Sequence, residues 1–264
     1  MVAIVEPNTA VAEKYAEHFG YSMDIVFPTI EKMIASIKPD AVTAFGSIYE
    51  HLAVVEACAP HGIHVMVEKP LAVNMDHALQ MKTLAEKYNI HLLTNYETSW
   101  YPTNIKAKEL LDNGLVGDLR RVVVRDGHKG PKKIGVPAEF LEWLTDPIKN
   151  GGGALTDFGC YGANLLTWLQ DGKRPLSVTA VTRQLQSENN PLVDDEATII
   201  LTYEDATAII EASWNWPIGR KDMEIYGLTG EILVDNRHDM RVRLGKGYSD
   251  YEQQDYTLAD RDPP

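Results

Sequence analysis

Two short segments carry side chains whose types and spacing could move a proton. Glu68-Lys69-Pro70 follows the apolar run His64 to Val67, so a lysine and an ion-pairable glutamate stand where a buried strand ends. Asp157, Tyr161 and Asn164 are spaced to share one helix face. An ammonium stabilises negative charge on a nearby oxygen, and a phenol with a pKa near 10 needs an adjacent cation to act as a base. Lys69 is the candidate cation for Tyr161.

The elements that position the first segment follow a βαβ rhythm from residue 1 to about 97. Short β-branched runs alternate with helical stripes such as Val11, Tyr15 and Phe19, a pattern typical of a parallel sheet covered by helices. Asn74 and Asp76 supply a cap and a first-turn carboxylate for the fourth helix. The expected strands are Val2 to Val5, Asp24 to Phe27, Ala41 to Phe45, His64 to Val67 and His91 to Thr94.

The start of the chain lacks one feature of a dinucleotide-binding sheet. Such a sheet opens with a strand and a glycine-rich turn, and no GxGxxG occurs here. The chain begins instead with a strand that ends at Glu6, and an acidic residue at the end of strand two is the group that binds the adenosine ribose. We therefore expect the first strand, with about 30 residues, to be missing before Met1. The alternative interpretation of Glu6 is a solvated residue at a strand end.

The second half of the chain has a different rhythm. A helix from Asn104 to Asn113 leads to a strand from Leu119 to Arg125, a Lys/Pro/Gly-rich loop through Asn150 and one helix from Ala154 to about Gln170. Consecutive strands without helices predict an antiparallel sheet. The expected domains are therefore residues 1–97, an incomplete dinucleotide-binding domain, and 98–264, an α+β domain. The last strands are Leu176 to Gln184, Ala197 to Tyr203, Thr207 to Trp214, Met223 to Tyr226, Glu231 to Val234 and Arg241 to Leu244.

Composition excludes several classes of protein. The 264 residues hold 25 Lys and Arg against 38 Asp and Glu, a net charge of −13 that does not suit binding to nucleic acid. No apolar run approaches the roughly 20 residues that span a bilayer, so we expect no membrane segment. Cys58 and Cys160 cannot form a disulfide framework and favour a reducing, cytoplasmic location. An export signal upstream of Met1 remains open.

Four blocks of sequence, in order along the chain, resemble the Gfo/Idh/MocA family of nicotinamide-dependent sugar and polyol oxidoreductases. They are residues 68–72 (Glu-Lys-Pro-Leu-Ala), 110–117, the glycine block 151–159 and 226–230. The resemblance covers essentially the whole chain. It implies a Rossmann-type parallel sheet, here without its first strand, followed by an α+β domain with a large, mostly antiparallel sheet. The implied activity is hydride transfer between a nicotinamide cofactor and a hydroxyl carbon of a sugar, glycoside or cyclitol.

The resemblance also implies roles for single residues. Lys69 orients and polarises the reacting hydroxyl, Tyr161 carries the proton, and Asp157 holds one or both in place. The implied substrate contacts are Lys69, Trp100, His128, Asp157 and Tyr161. With Glu6 taken from the strand argument, the cofactor-binding set is Glu6, Ser47, Ile48, His51, Glu68, Lys69, Pro70 and Glu97.

Some positions depart from the family pattern. Tyr161 stands where many members have histidine, which resembles the glucose-fructose oxidoreductase branch. The Thr-Pro-Asn-x-x-His turn is Gly46 to His51 here, and only the histidine is kept. Trp100 beside Glu97 suits a carbohydrate, because indole covers C–H faces while carboxylate accepts hydroxyl hydrogens.

Three alternatives remain beside a sugar dehydrogenase. A metal enzyme fits poorly, because His61 and His64 have no partner carboxylate at ligand spacing. A non-catalytic sensor of the same fold is a serious rival, but the retained Lys69, Asp157 and Tyr161 speak against it. A relative that cleaves glycosides with transient use of NAD fits the sequence as well. Glu6 favours NAD over NADP, because its carboxylate repels a 2′-phosphate. The partners expected are a small carbohydrate or polyol and, through the antiparallel sheet, further copies of the chain.

Overall fold

The computed structural model describes residues 1–260 and divides the chain into two compact units between Asn95 and Tyr96. Among these residues, no helix is both long enough and apolar enough to cross a membrane.

The first unit contains five strands, all paired in parallel, with four helices between them. The strands form two separate sheets, in the orders β1-β2 and β3-β4-β5. The predicted parallel sheet is thereby confirmed. The strands are β1 (Ile4–Val5), β2 (Val26–Phe27), β3 (Ala41–Ala44), β4 (His64–Glu68) and β5 (Leu92–Asn95), and the helices are α1 (Thr9–Phe19), α2 (Ile30–Ser36), α3 (His51–Cys58) and α4 (Met75–Tyr88).

Polar side chains cap helices α1 and α4 of this unit, and the cap at Asn74 is the one that the sequence predicts. The side chain of Asn8 accepts hydrogen bonds from the first N–H groups of α1, and Asn74 accepts one of 2.8 Å from His77 N in α4. Val65 and Val67 of β4 are almost fully buried and pack with Met81 of α4. Most of the apolar stripe on α1, in contrast, is in solvent, since Tyr15 and Phe19 are 47% and 67% exposed.

The second unit is built on one eight-stranded sheet in the order β13-β12-β11-β10-β6-β9-β8-β7. Every pairing is antiparallel except that of β6 with β9, which is parallel. The predicted large, mostly antiparallel sheet is confirmed. The strands are β6 (Leu119–Gly127), β7 (Ser177–Arg183), β8 (Glu196–Thr202), β9 (Thr207–Ser213), β10 (Arg220–Gly227), β11 (Gly230–Val234), β12 (Asp239–Gly245) and β13 (Tyr251–Thr257), and the helices are α5 (Pro102–Asp112), α6 (Pro131–Ile134), α7 (Ala138–Leu144), α8 (Ala154–Asp157) and α9 (Gly159–Leu169).

Three sequence predictions for this unit are wrong in detail. The expected loop before Asn150 contains the short helices α6 and α7. The single helix expected from Ala154 is two helices, because the chain turns at Phe158, where φ is −109°. Strand β13 was not predicted, because its sequence, residues 251–257, is polar and largely exposed.

Helix α9 lies very close to the sheet that it covers. A Cβ added at Gly162 would lie 2.5 Å from Cγ2 of Ile210 in β9, so only glycine allows this approach. Leu165, Leu166 and Leu169 bury the same face of the helix in the main core. This close packing fixes the height of the neighbouring Tyr161 above the sheet.

Candidate functional site

In the first unit, six of the predicted cofactor-binding residues gather at the carboxyl ends of β3 and β4. Ser47, Ile48 and His51 follow β3, while Glu68, Lys69 and Pro70 end β4 and begin the next turn. His51 Nδ1 lies 3.1 Å from the carbonyl oxygen of Leu71. This contact connects the segment after β3 with the turn after β4. Ligands of open parallel sheets bind at this edge.

The ring of His51 leaves one buried nitrogen without a partner. Burial lowers the pKa of His51, although the Leu71 carbonyl and the Glu68 carboxylate act in the opposite direction, so the ring is neutral at pH 7. With Nδ1–H donating to Leu71, Nε2 is a hydrogen-bond acceptor, and it has no partner among the described residues. A buried acceptor at this edge fits a ligand that carries amide or hydroxyl donors, as a nicotinamide dinucleotide does.

The other residues of this edge are held by local contacts. Asn95 Nδ2 donates a 2.7 Å hydrogen bond to Glu68 Oε1, and the Lys69-Pro70 peptide bond is cis. The Ser47 hydroxyl donates to Glu50 Oε2 at 2.9 Å. Ile48 is only 2% exposed, so its side chain is part of the core at this edge.

Glu6 lies on the other parallel sheet of this unit. Its N–H donates to the Phe27 carbonyl at 3.0 Å, which continues the pairing of β1 with β2. Its carboxylate accepts a 2.8 Å hydrogen bond from Asn8 N, just before α1. Glu6 is therefore at the carboxyl end of β1, the position that its predicted contact with a ribose requires.

In the second unit, the phenol of Tyr161 is buried in an aromatic pocket. The residue is 4% exposed, its ring stacks on Phe158 with centroids 6.3 Å apart, and the ring of Tyr96 meets it edge-on at 5.9 Å. Burial raises the pKa of Tyr161 far above its usual value, and nearby acidic groups raise it further. The phenol is therefore protonated at neutral pH.

Lys221 contacts this phenol, and sequence reasoning did not predict it. Its Nζ lies 3.5 Å from the Tyr161 hydroxyl oxygen and 4.5 Å from the centroid of the ring. The same ammonium forms an ion pair with Glu97, whose other oxygen accepts a 2.8 Å hydrogen bond from the Tyr101 hydroxyl. No sequence pattern could have indicated Lys221, because Glu97 and Tyr161 are 124 and 60 residues away.

Helix α8, which ends at Asp157, is held at both ends by groups from outside the helix. The indole Nε1 of Trp214 donates a hydrogen bond to Asp157 Oδ2. At the other end of the helix, the Asp194 carboxylate accepts from Gly153 N at 2.9 Å and from Leu155 N at 2.7 Å. A Cβ at Gly153 would lie 1.8 Å from the Asp194 carbonyl oxygen, so this contact requires glycine.

The remaining predicted substrate contacts have different surroundings. Trp100 is 57% exposed at the end of a 3-10 helix that begins at Glu97. His128 follows β6, meets the ring of Phe158 edge-on at 4.9 Å, and accepts a 3.0 Å hydrogen bond from Gly130 N. Within this unit, contacts through Lys221 and Phe158 bring together Glu97, Tyr161 and His128. Among residues 1–260, no cluster of His, Cys, Asp or Glu could hold a metal ion.

Both units match models of one protein family. Residues 1–96 match a model described as an oxidoreductase family with an NAD-binding Rossmann fold. Residues 104–233 match a model described as the GFO/IDH/MocA C-terminal domain.

Individual proteins with similar sequences and structures agree with this match. Trans-1,2-dihydrobenzene-1,2-diol dehydrogenase of Xenopus tropicalis is 28% identical over 89% of this chain, which spans 66% of the length of that relative. Aldose-aldose oxidoreductase from Caulobacter crescentus, complexed with glycerol, has a TM-score of 0.84 at 25% identity over 100% of this chain and 77% of its own. GenD2 from gentamicin A biosynthesis, in complex with NAD, has a TM-score of 0.79 at 26% identity over 89% of this chain and 64% of its own.

Proposed function

Since this chain belongs to the Gfo/Idh/MocA family of oxidoreductases, as its sequence predicts, we propose that it transfers a hydride between a nicotinamide cofactor and a hydroxyl carbon of a sugar, glycoside or cyclitol. The observation that carries the proposal is the position of Lys69, at the carboxyl edge of the parallel sheet and in the turn that His51 contacts. The relatives named as a dihydrobenzenediol dehydrogenase, an aldose-aldose oxidoreductase and an enzyme of gentamicin A biosynthesis support the same substrate class.

The proposed part of each catalytic residue follows from its chemistry. The bound nicotinamide ring supplies the hydride acceptor for oxidation of the alcohol and the hydride donor for reduction of the carbonyl. Lys69 orients the substrate oxygen and stabilises the negative charge that develops on it. Tyr161, protonated at neutral pH, gives its proton to that oxygen during reduction and takes the proton back during oxidation. Asp157, fixed by Trp214, keeps the Tyr161 segment in place.

The cofactor would be held mainly by the first unit. We propose that the turns after β3 and β4 contact it through Ser47, the Ile48 backbone, His51 and the segment Glu68-Lys69-Pro70. Glu6 would accept hydrogen bonds from a ribose diol and repel a 2′-phosphate, so NAD is preferred to NADP. Glu97 would act at the nicotinamide end. Nucleotide affinities, measured for both dinucleotides, test the preference, and tighter binding of NADP contradicts it.

The test of the function compares Lys69→Met with Lys149→Met in the full protein. Lys149 is a half-buried lysine paired with the exposed Glu142, so its loss should leave turnover unchanged. A panel of sugars, glycosides and cyclitols is assayed for change in reduced-nicotinamide absorbance. Lys69→Met should lose turnover by at least about 100-fold and keep nucleotide binding. Unchanged turnover removes Lys69 from the mechanism.

Product analysis separates the other candidate activities. Release of a free aglycone without net reduced nicotinamide indicates glycoside cleavage with transient oxidation. Binding of nucleotide and sugar without turnover indicates a sensor. Either result replaces the proposed dehydrogenase reaction.

Self-association and location complete the proposal. The open sheet of the second unit ends in β7, where Val178 and Val181 are 58% and 61% exposed. Such a surface favours a homo-oligomer, and light scattering of the full protein would contradict this by giving a monomer mass. The chain has only two cysteines, Cys58 and Cys160, and this low number supports a reducing, cytoplasmic location, which fractionation of cells would test.

A further inference from the structure

We propose that Lys221 is a positioning residue for Tyr161: its ammonium, held by Glu97, places the phenol hydroxyl and stabilises the negative charge that the phenol acquires when it releases its proton. The inference rests on the proposed function, because it gives Lys221 a part in the proton transfer assigned to Tyr161. It adds a residue that the sequence pattern did not indicate.

The geometry puts the ammonium where it can act on the phenol oxygen. Lys221 Nζ lies 3.5 Å from that oxygen and 4.5 Å from the ring centroid, so it is at the hydroxyl side of the ring. The Lys221 side chain is 23% exposed, which limits the competition of water for its ammonium. An ion pair that is partly removed from water is screened less by solvent than one on the surface.

Glu97 gives this ammonium a fixed position. One of its carboxylate oxygens pairs with Lys221, and the other accepts the Tyr101 hydroxyl hydrogen at 2.8 Å. A lysine side chain loses much rotamer freedom when it is ordered. Because the ion pair with Glu97 already orders the Lys221 side chain, no further side-chain entropy is lost when the ammonium stabilises the charged phenol.

The other groups that act on Tyr161 make such a cation necessary. Acidic groups on several neighbouring elements raise the pKa of the phenol and so oppose loss of its proton, as burial does. Lys221 is a cation in contact with the phenol, 3.5 Å from its oxygen. The acidic groups are Glu97 from the 3-10 helix, Asp157 from α8, Asp126 from β6 and the Cys160 thiol from α9, while the neutral phenol of Tyr96 meets the ring edge-on.

The expected size of the effect follows from the distance. An opposite charge within about 4–6 Å changes the ionisation of a group by about 10- to 1000-fold. Removal of the ammonium should therefore slow proton transfer from the alcohol by at least about 10-fold at a fixed pH. The pH at which the oxidation rate rises should move up by at least about one pH unit, which corresponds to the same 10-fold change in ionisation.

The experiment compares Lys221→Met, Lys221→Arg, Lys149→Met and Tyr161→Phe in the full protein. Met removes the charge at similar side-chain length, Arg keeps it, and Lys149→Met removes the charge of a lysine outside the site. The first readout is the pH profile of kcat for alcohol oxidation. The second needs no turnover: NMR of ¹³Cζ-labelled tyrosine, in which the Tyr161 resonance is the one lost in Tyr161→Phe.

The proposal expects a shifted pH profile and a shifted Tyr161 resonance in Lys221→Met, with both largely restored by Arg and unchanged in Lys149→Met. An unchanged resonance, or an unchanged pH profile in an active variant, overturns it. If Tyr161→Phe keeps full turnover while the Tyr161 resonance depends on Lys221, Tyr161 is not the proton carrier of the proposed function. The contact between Lys221 and the Tyr161 hydroxyl is then still supported. If Lys221→Met does not fold, Lys221→Gln takes its place.

Discussion

The indole Nε1 of Trp214 donates a 3.0 Å hydrogen bond to Oδ2 of Asp157. Trp214 follows β9 and is fully buried, while Asp157 ends α8, so one bond ties the sheet to the short helix that precedes Tyr161. Asp157 is only 7% exposed, and a polar side chain at that depth depends on its hydrogen-bond donors.

Trp214→Phe should destabilise the second unit by about 2–4 kcal/mol, because the carboxylate loses a buried donor and the smaller ring leaves a cavity. Urea unfolding, followed by circular dichroism, measures the loss. Trp216→Phe is the matched control, since Trp216 is only partly buried. Equal losses of unfolding free energy in the two variants would show that the hydrogen bond to Asp157 does not contribute measurably to stability.

Gly153→Ala should destabilise the same unit by at least about 2 kcal/mol. The new Cβ would lie 1.8 Å from the Asp194 carbonyl oxygen, so the backbone that begins α8 must move away from Asp194. Gly247→Ala serves as control, because its Cβ would meet nothing nearer than 3.9 Å. Thermal unfolding of both variants measures the change in Tm. A wild-type Tm for Gly153→Ala would contradict the close approach of Gly153 to the Asp194 carbonyl oxygen.

The stability of the first unit should fall below about pH 6.5, because burial lowers the pKa of His51 in the folded chain from 6.5. Between the folded and unfolded pKa values the unfolded chain binds more protons, so the free energy of unfolding decreases as the pH falls through this window. His51→Gln should lose this part of the pH dependence, whereas substitution of the exposed His61 by Gln should keep it. Urea titrations at about pH 7.5 and pH 5 measure both slopes.

Arg125 should contribute to stability rather than to substrate binding. Its guanidinium contacts Glu211 and Glu224 at 2.7 Å and Asp222 at 3.4 Å, across three neighbouring strands. Arg125→Gln should therefore cost about 1–3 kcal/mol at neutral pH. The exposed Arg120, paired with Asp118, is the control, and its substitution by Gln should cost less than about 0.5 kcal/mol.

The cost of Arg125→Gln should also shrink in acid. Burial raises the pKa of Glu224, but hydrogen bonds from Tyr226 and Arg125 lower it more, and the net pKa is below 4.5. A lowered folded pKa adds stability above the unfolded value, and that stability is lost as the pH falls through the folded pKa. The free energies of unfolding of wild type and variant should therefore converge as the pH falls below 4.5 and through the lowered folded pKa. A constant difference would mean that the carboxylates do not contribute through Arg125.

The sequence allowed prediction of the features that depend on neighbouring residues, such as the ends of strands and the starts of helices. The β-branched run before Glu68 and the glycines before Ala154 indicated a strand end and a helix start, and both are present. Short helix α7 escaped detection, because its seven residues hold too few turns for a periodic pattern among Pro and Gly signals. Lys221 could not be found, because its position depends on the register of β10 against β6, which pairs Lys221 with Asp126 over a long separation.

Strand β6 pairs with β9 on one side and β10 on the other, and both come about 90 to 100 residues later in the chain. During synthesis, the middle of the sheet therefore leaves the ribosome long before either neighbour exists. Its three consecutive valines, residues 122–124, have no strand to pair with until β9 follows. Long-range pairing of this kind slows folding and leaves an aggregation-prone intermediate, so this half of the chain should depend on chaperones more than the first unit does.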